Sequence, residues 1–311
     1  MKTRVSQHSP RLKTLAAVFL TAVLAAAVAG CGADTQGSAP EQAGALSGEA
    51  GSETSPSPEP KDEGQVMDPG SIAGGFVAAS GDSEVSGETA GTADRIESVR
   101  FQVFDGYERL LLDFGQQGGE VSSVPRWSVT SPPEGGYVRI HLPDVTSTAT
   151  GSEDFVGSVL DELYVVRDRG GGLFVDVFAM REFRYRVTEL PESGRLAVDF
   201  RRARGGLELP PTKSDKVVVV QPREAEEVSS PLTVEGYARL FEGRVTVSLL
   251  DREREVISTE TVRANDWATA WGLFQATLEV PDYEGRATLR VGGESPRDGS
   301  FVGTETEVFI E

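Results

Sequence analysis

The 311-residue chain carries 30 lysines and arginines against 49 aspartates and glutamates, a formal net charge of −19, and a single cysteine. One cysteine excludes an intramolecular disulfide and any multi-cysteine metal centre. So acidic a surface repels phosphate backbones, which excludes nucleic acid as the expected partner.

The first residues fall into three zones. Lys2, Arg4, Arg11 and Lys13 form a basic leader with no acid, Leu15 to Val28 is an uncharged apolar run, and Val28-Ala29-Gly30-Cys31 closes it with small residues. A membrane-spanning helix needs ~20 apolar residues. This run is shorter and ends in small residues, which predicts a secretory signal peptide over residues 1–30. The closing tetrapeptide resembles the lipobox read by lipoprotein signal peptidase. That resemblance implies cleavage before Cys31, diacylglycerol on its thiol, and a lipid anchor in the cell membrane on the extracytoplasmic face. Removing the four basic residues takes the net charge to −23. Anchoring is therefore expected from acyl chains rather than from a basic patch.

Residues 31–94 read as an acidic tether. Between Gly32 and Asp94, Lys61 is the only base against twelve acids, and stretches such as Ser55-Pro56-Ser57-Pro58-Glu59-Pro60 offer little apolar surface to offset ordering entropy. The composition predicts disorder. Ile72 to Ala79 is its one mildly apolar patch, and Gly74-Gly75 argues against a helix there. A coil of this length holds a folded part on the order of 50 Å from the bilayer.

From Arg95 apolar and polar residues alternate, the signature of half-buried strands. Val99–Val103 leads through Asp105-Gly106 into Tyr107–Phe114, and Gly106 supplies the positive φ of a tight hairpin. Further strands are expected at Tyr137–Leu142, Leu160–Arg167, Leu173–Phe178, Phe183–Thr188 and Arg195–Phe200. Residues 205–215, with Pro210-Pro211, break the pattern and read as a linker. A second set is expected at Lys216–Val220, Leu232–Tyr237, Arg244–Leu250, Val256–Val262, Leu273–Val280, Ala287–Val291 and Thr306–Ile310. The predicted fold class is all-β, with two tandem β-sandwich domains over residues 95–204 and 216–311, each able to fold alone.

The first set resembles the AMIN-like domain of actinobacterial lipoproteins. The likeness rests on Asp105-Gly106-Tyr107-Glu108-Arg109-Leu110-Leu111-Leu112-Asp113-Phe114, on Phe183-Arg184-Tyr185-Arg186-Val187 and on Arg195-Leu196-Ala197-Val198-Asp199-Phe200. Glu192-Ser193-Gly194 stands where that family has a tighter turn. The second set resembles Gmad2, an immunoglobulin-like module named for spore-germination proteins. Its matches are Val228-Ser229-Ser230-Pro231-Leu232, Ala238-Arg239-Leu240-Phe241-Glu242, Trp271-Gly272-Leu273-Phe274 and Ser295-Pro296-Arg297-Asp298-Gly299-Ser300; Arg254 departs, standing where a turn glycine is common. The first resemblance implies targeting of envelope enzymes to peptidoglycan or to envelope complexes; Gmad2 has no established activity, and neither resemblance implies a catalytic centre.

The residues offer little chemistry. After the leader one histidine remains, His141, with Asp144 beyond Pro143, and no serine sits in a Gly-x-Ser-x-Gly turn. His141 is read as an ordinary strand residue. Asp161-Glu162 and Asp298-Gly299-Ser300 lack the ligand offsets of a calcium loop, and the latter reads as a turn. No metal, cofactor or enzymatic activity is expected. Binding is the expected work, with three candidate ligand-binding residues. Arg184 and Arg186 share one strand face by period two and suit the carboxylates of peptidoglycan stems. Trp267 could stack on a glycan, while Trp271 is expected in the core. Formal charge favours the first domain as the wall-facing part: residues 95–204 carry fourteen bases and seventeen acids, residues 205–311 eleven and twenty. The expected partners are the membrane, through the lipid, and peptidoglycan or an envelope protein. The alternative is an accessory of amidase, sporulation or germination machinery acting by protein–protein contact.

Overall fold

The computed structural model describes residues 75–79, 84–87, 91–118, 121, 123–132 and 135–311. The leader, Cys31 and the tether through Gly74 lie outside the described residues. The described chain is all-β, and its only helical pieces are two three-residue 3-10 turns, Pro191–Ser193 and Phe241–Gly243.

In the first half the strands are β1 (Val77–Ala78), β2 (Glu84–Ser86), β3 (Arg95–Phe104), β4 (Tyr107–Gly115), β5 (Ser128–Thr130), β6 (Tyr137–Leu142), β7 (Ser147–Thr148), β8 (Ser152–Asp154), β9 (Leu160–Arg167), β10 (Leu173–Ala179), β11 (Arg181–Leu190) and β12 (Arg195–Leu207). A six-stranded sheet in the order β1-β11-β12-β4-β3-β7 closes on β9-β10-β6-β5-β2. Between the layers lie Ile96, Leu110, Leu112, Ile140, Leu163, Val175, Val198 and Phe200. Alternation produces this, because strands with one face on a core send every second residue inward. The β3–β4 hairpin turns at Asp105-Gly106 with Gly106 at φ 83°, as the dipeptide predicts.

The second half adds β13 (Thr212–Lys213), β14 (Val217–Gln221), β15 (Glu226–Val228), β16 (Leu232–Ala238), β17 (Arg244–Leu250), β18 (Val256–Arg263), β19 (Trp271–Leu278), β20 (Gly285–Glu294) and β21 (Phe301–Ile310). β13-β14-β16-β19 faces the five-stranded sheet β15-β21-β20-β17-β18. Val219, Val234, Phe274, Val247, Leu289 and Val308 fill the space between them.

Three features differ from the expectations. Part of the acidic stretch joins the fold: β1 pairs with β11, β2 pairs with β5, and Val77, Ala79 and Val85 pack on the first core. Two- and three-residue strands carry no readable period; sheet edges with unpaired backbone groups recruit them. The two sandwiches are also joined. β19 pairs in parallel with β9 through Trp271↔Val166 and Gly272↔Arg167, so one ten-stranded sheet runs through both halves. A third core straddles the joint, with Tyr137, Tyr164, Val166, Phe174 and Phe178 from one side and Val218, Val220, Tyr237, Trp271 and Leu273 from the other. Within it Asp176, fully buried, accepts from Arg139 at 2.8 Å and from the Tyr237 hydroxyl. Either half alone would expose this core. The 205–215 stretch is likewise no plain linker. β12 runs on to Leu207, and β13 places Lys213 on Asp154 and on buried Glu162, whose carboxyl burial pushes up despite Lys213 and Tyr164.

Candidate functional site

The arginine pair on β11 is split by its surroundings. Arg186 reaches Asp199 on β12 at 2.5 Å, and Asp199 is 1% exposed. The same carboxylate takes both arms of Arg109 from β4, at 2.6 and 3.0 Å. One buried acid thus holds two guanidiniums across three neighbouring strands, and Phe76 covers Arg186 at 4.9 Å. An arginine so bound is structural, because freeing it would strand a buried charge. Arg184, two residues earlier, is exposed and lies opposite Arg201 in the ladder. Sharing a strand face, as period two requires, does not give two residues the same neighbours.

Trp267 is placed differently. The residue is 43% exposed, and its ring meets that of Phe241, itself 53% exposed, edge to face at 5.5 Å. The loop beneath is organised by one carboxylate. Asp266 accepts from the backbone N–H groups of Trp267, Ala268 and Thr269 at 2.6, 2.9 and 3.1 Å, and from the Thr269 hydroxyl at 2.5 Å. Burial alone would raise its pKa, but the hydrogen bonds from Thr269, Ala268 and Arg167 outweigh it and hold the carboxyl at about 2. Arg167 of β9 pairs with Asp266 at 3.1 Å, and Asn265 donates back to the Arg167 carbonyl at 2.9 Å. Gly272 permits this closeness, since a Cβ there would sit 1.9 Å from the Asp266 carbonyl oxygen. The tryptophan is therefore displayed from a loop fastened to the other sandwich. Trp271, at 4% exposure, lies in the joint core.

Phe241 is also on the wall of a groove of about 710 Å³ over the outer face of the five-stranded sheet, with Arg244, Val256, Arg290 and Phe301. Phe301 lies across Gly292 and Gly303, which face each other in the β20–β21 ladder; its ring carbons stand 2.5 and 2.6 Å from where their Cβ atoms would be. Arg290 caps that ring at 3.9 Å. Reading the sequence strand by strand missed Phe241. The available signal was Leu240-Phe241 before Glu242-Gly243: two adjacent apolar residues at a turn cannot both face inward. Leu240 is buried and Phe241 is not.

The remaining candidates are quiet. His141 meets the Thr130 hydroxyl at 3.1 Å, and burial, with Arg139 beside it, pushes its pKa down. Asp144 is taken by Arg126 at 2.8 Å. Asp298 accepts from the Ser300 hydroxyl at 2.7 Å and its backbone N–H at 3.1 Å, a turn that holds its carboxyl below the usual range.

An immunoglobulin-like sandwich with an exposed aromatic pair is thus the kind of protein that the second half defines. Residues 216–300 match the family model of Gmad2, described as an immunoglobulin-like domain of bacterial spore germination. The match runs from the residue before β14 to the residue before β21 and contains both Phe241 and Trp267. No curated protein and no solved structure matches the chain.

Proposed function

We propose that the protein is a non-catalytic lipoprotein, anchored through a diacylglycerol on Cys31 at the extracytoplasmic face of the cell membrane. Its work is to bind peptidoglycan or an envelope protein. The observation that carries the binding reading is the exposed Phe241–Trp267 pair, with Trp267 on its clamped loop. Aromatic rings held rigid and half in solvent supply contact area at little entropic cost, and such residues dominate binding surfaces. The leader, the lipobox-like tetrapeptide and the lone cysteine support the anchor. In this reading the first sandwich is an AMIN-like domain, as its sequence resemblance implies.

The Gmad2 match favours a second reading, an accessory of wall-amidase, sporulation or germination machinery that acts by protein contact. One experiment separates the two. Purified peptidoglycan and a detergent extract of envelope proteins are each offered the protein and its Phe241→Ala/Trp267→Ala variant. Sedimentation with peptidoglycan that the variant loses supports wall binding; capture of one envelope protein that the variant loses supports the accessory role. Equal behaviour of the two proteins in both assays removes the aromatic pair as the site. The anchor has its own test: Cys31→Ser should abolish acyl labelling and release the protein from the membrane fraction.

A further inference from the structure

Beyond Tyr185 the β11–β12 ribbon carries Arg181, Arg184, Arg201, Arg202 and Arg204, all exposed except Arg181, which is half-buried. None of the five takes part in an ion pair among the described residues. Arg184 stands directly opposite Arg201. Like charges in that position destabilise a ladder. In a chain of net charge −19, where a partner acid could readily have been placed, five such cations on one ribbon end are unexpected. Glu182 and Glu208 are the acids on these segments, which leaves the cations in excess.

Two further observations bear on what meets this end. Leu207 and Leu209 continue from the arginines and are 72% and 56% exposed. Phe76 lies over both Arg186 and Arg201, at 4.9 and 4.3 Å, and so adds an aromatic ring beside the arginines. We propose that this end of the β11–β12 ribbon docks on an anionic lipid surface, its arginines at headgroup phosphates and its two leucines at the acyl boundary. Basic side chains beside exposed apolar ones are the chemistry of peripheral membrane contact. A polyanionic wall polymer would satisfy the arginines and leave the leucines without an apolar layer. The inference rests on the reading that the chain is held at a membrane. It adds that the anchored molecule lies with this end against the leaflet, while the rest of its acidic surface is repelled.

The test uses a chain beginning at Gly32, which keeps every described element and lacks both leader and lipid site. It is floated with vesicles of phosphatidylglycerol mixed into phosphatidylcholine, and with phosphatidylcholine alone. It should float with the mixed vesicles only, and rising salt should release it as the screening length falls below ~10 Å. Arg201→Gln with Arg204→Gln should weaken partitioning by on the order of fivefold per arginine. Leu207→Ser with Leu209→Ser should weaken it several-fold and leave the salt dependence in place. All four positions are exposed, and near-ultraviolet circular dichroism checks that the fold is kept. No flotation of the unaltered chain, equal flotation with both vesicles, or an arginine variant that floats like the parent overturns the proposal. Sedimentation with purified peptidoglycan that the arginine variant loses, without vesicle binding, would instead assign the ribbon end to wall polymer. Because this chain has no Cys31, failure here leaves lipidation, read by acyl labelling, undisturbed.

Discussion

Asp199 shows how far a residue's worth depends on its neighbours. Its buried carboxylate holds Arg109 and Arg186. Asp199→Ala would leave two guanidiniums without a counter-charge, at a cost of about 3–5 kcal/mol. Arg184→Ala, at an exposed position, should change stability by no more than about 0.5 kcal/mol. Urea midpoints check both, and similar values for the two would contradict the separation of these arginines. Asp266 yields a pH prediction. Its folded pKa of about 2 lies below the usual 3.8. The stability it contributes is therefore fully present above about pH 4 and is lost as pH falls toward 2. The fluorescence component removed by Trp267→Phe should stay constant from neutral pH down to that range and then change. A change complete above pH 5 would show that Asp266 does not hold the loop. Arg254 sits at φ 67°, where glycine is the easier residue, and its partner Glu305 is a surface contact. Arg254→Gly should thus raise the midpoint of the same urea curves.

At the scale of elements, the strands with a sustained period were legible and the short ones were not. β6, β9 and β17 run over the residues expected from alternation, and β4 extends by one. β1, β7 and β13 hold two residues each, too few to show a period, and they exist because a longer neighbour offers an edge. The β9–β19 pairing was hidden for a related reason. It joins the edges of two sheets through two residue pairs, and neither strand's own pattern names its partner. Of the candidate site, Trp267 was legible as an aromatic outside a strand. Asp266 beneath it was not, because its bonds run to the backbone of its own loop and to Arg167, ninety-nine residues away. The joint predicts coupled unfolding. Trp271→Ala removes a buried ring from the shared core, at about 3–5 kcal/mol. It should lower the transition of both halves together, as followed by Trp127 emission and by hydrogen exchange over residues 216–311. A transition confined to residues 216–311 would contradict the shared core.

For the whole molecule, net charge proved a poor guide to local charge. The average of −19 argues against any basic patch, yet the end of the β11–β12 ribbon gathers arginines with no ion pair among the described residues, while acids elsewhere pair with Arg100, Arg109, Arg139 and Arg195. The two sandwiches, joined through β9 and β19, both hold the loop that presents Trp267 to Phe241. Under the proposal, this pair is the contact surface of an anchored binding protein. The most direct test places a photo-crosslinking amino acid at position 241 of the full-length protein in its own cells, with position 105, on the β3–β4 turn, as control. The account predicts covalent capture of peptidoglycan or of one envelope protein from position 241 and not from 105. Capture that is no greater from 241 than from 105 would contradict it.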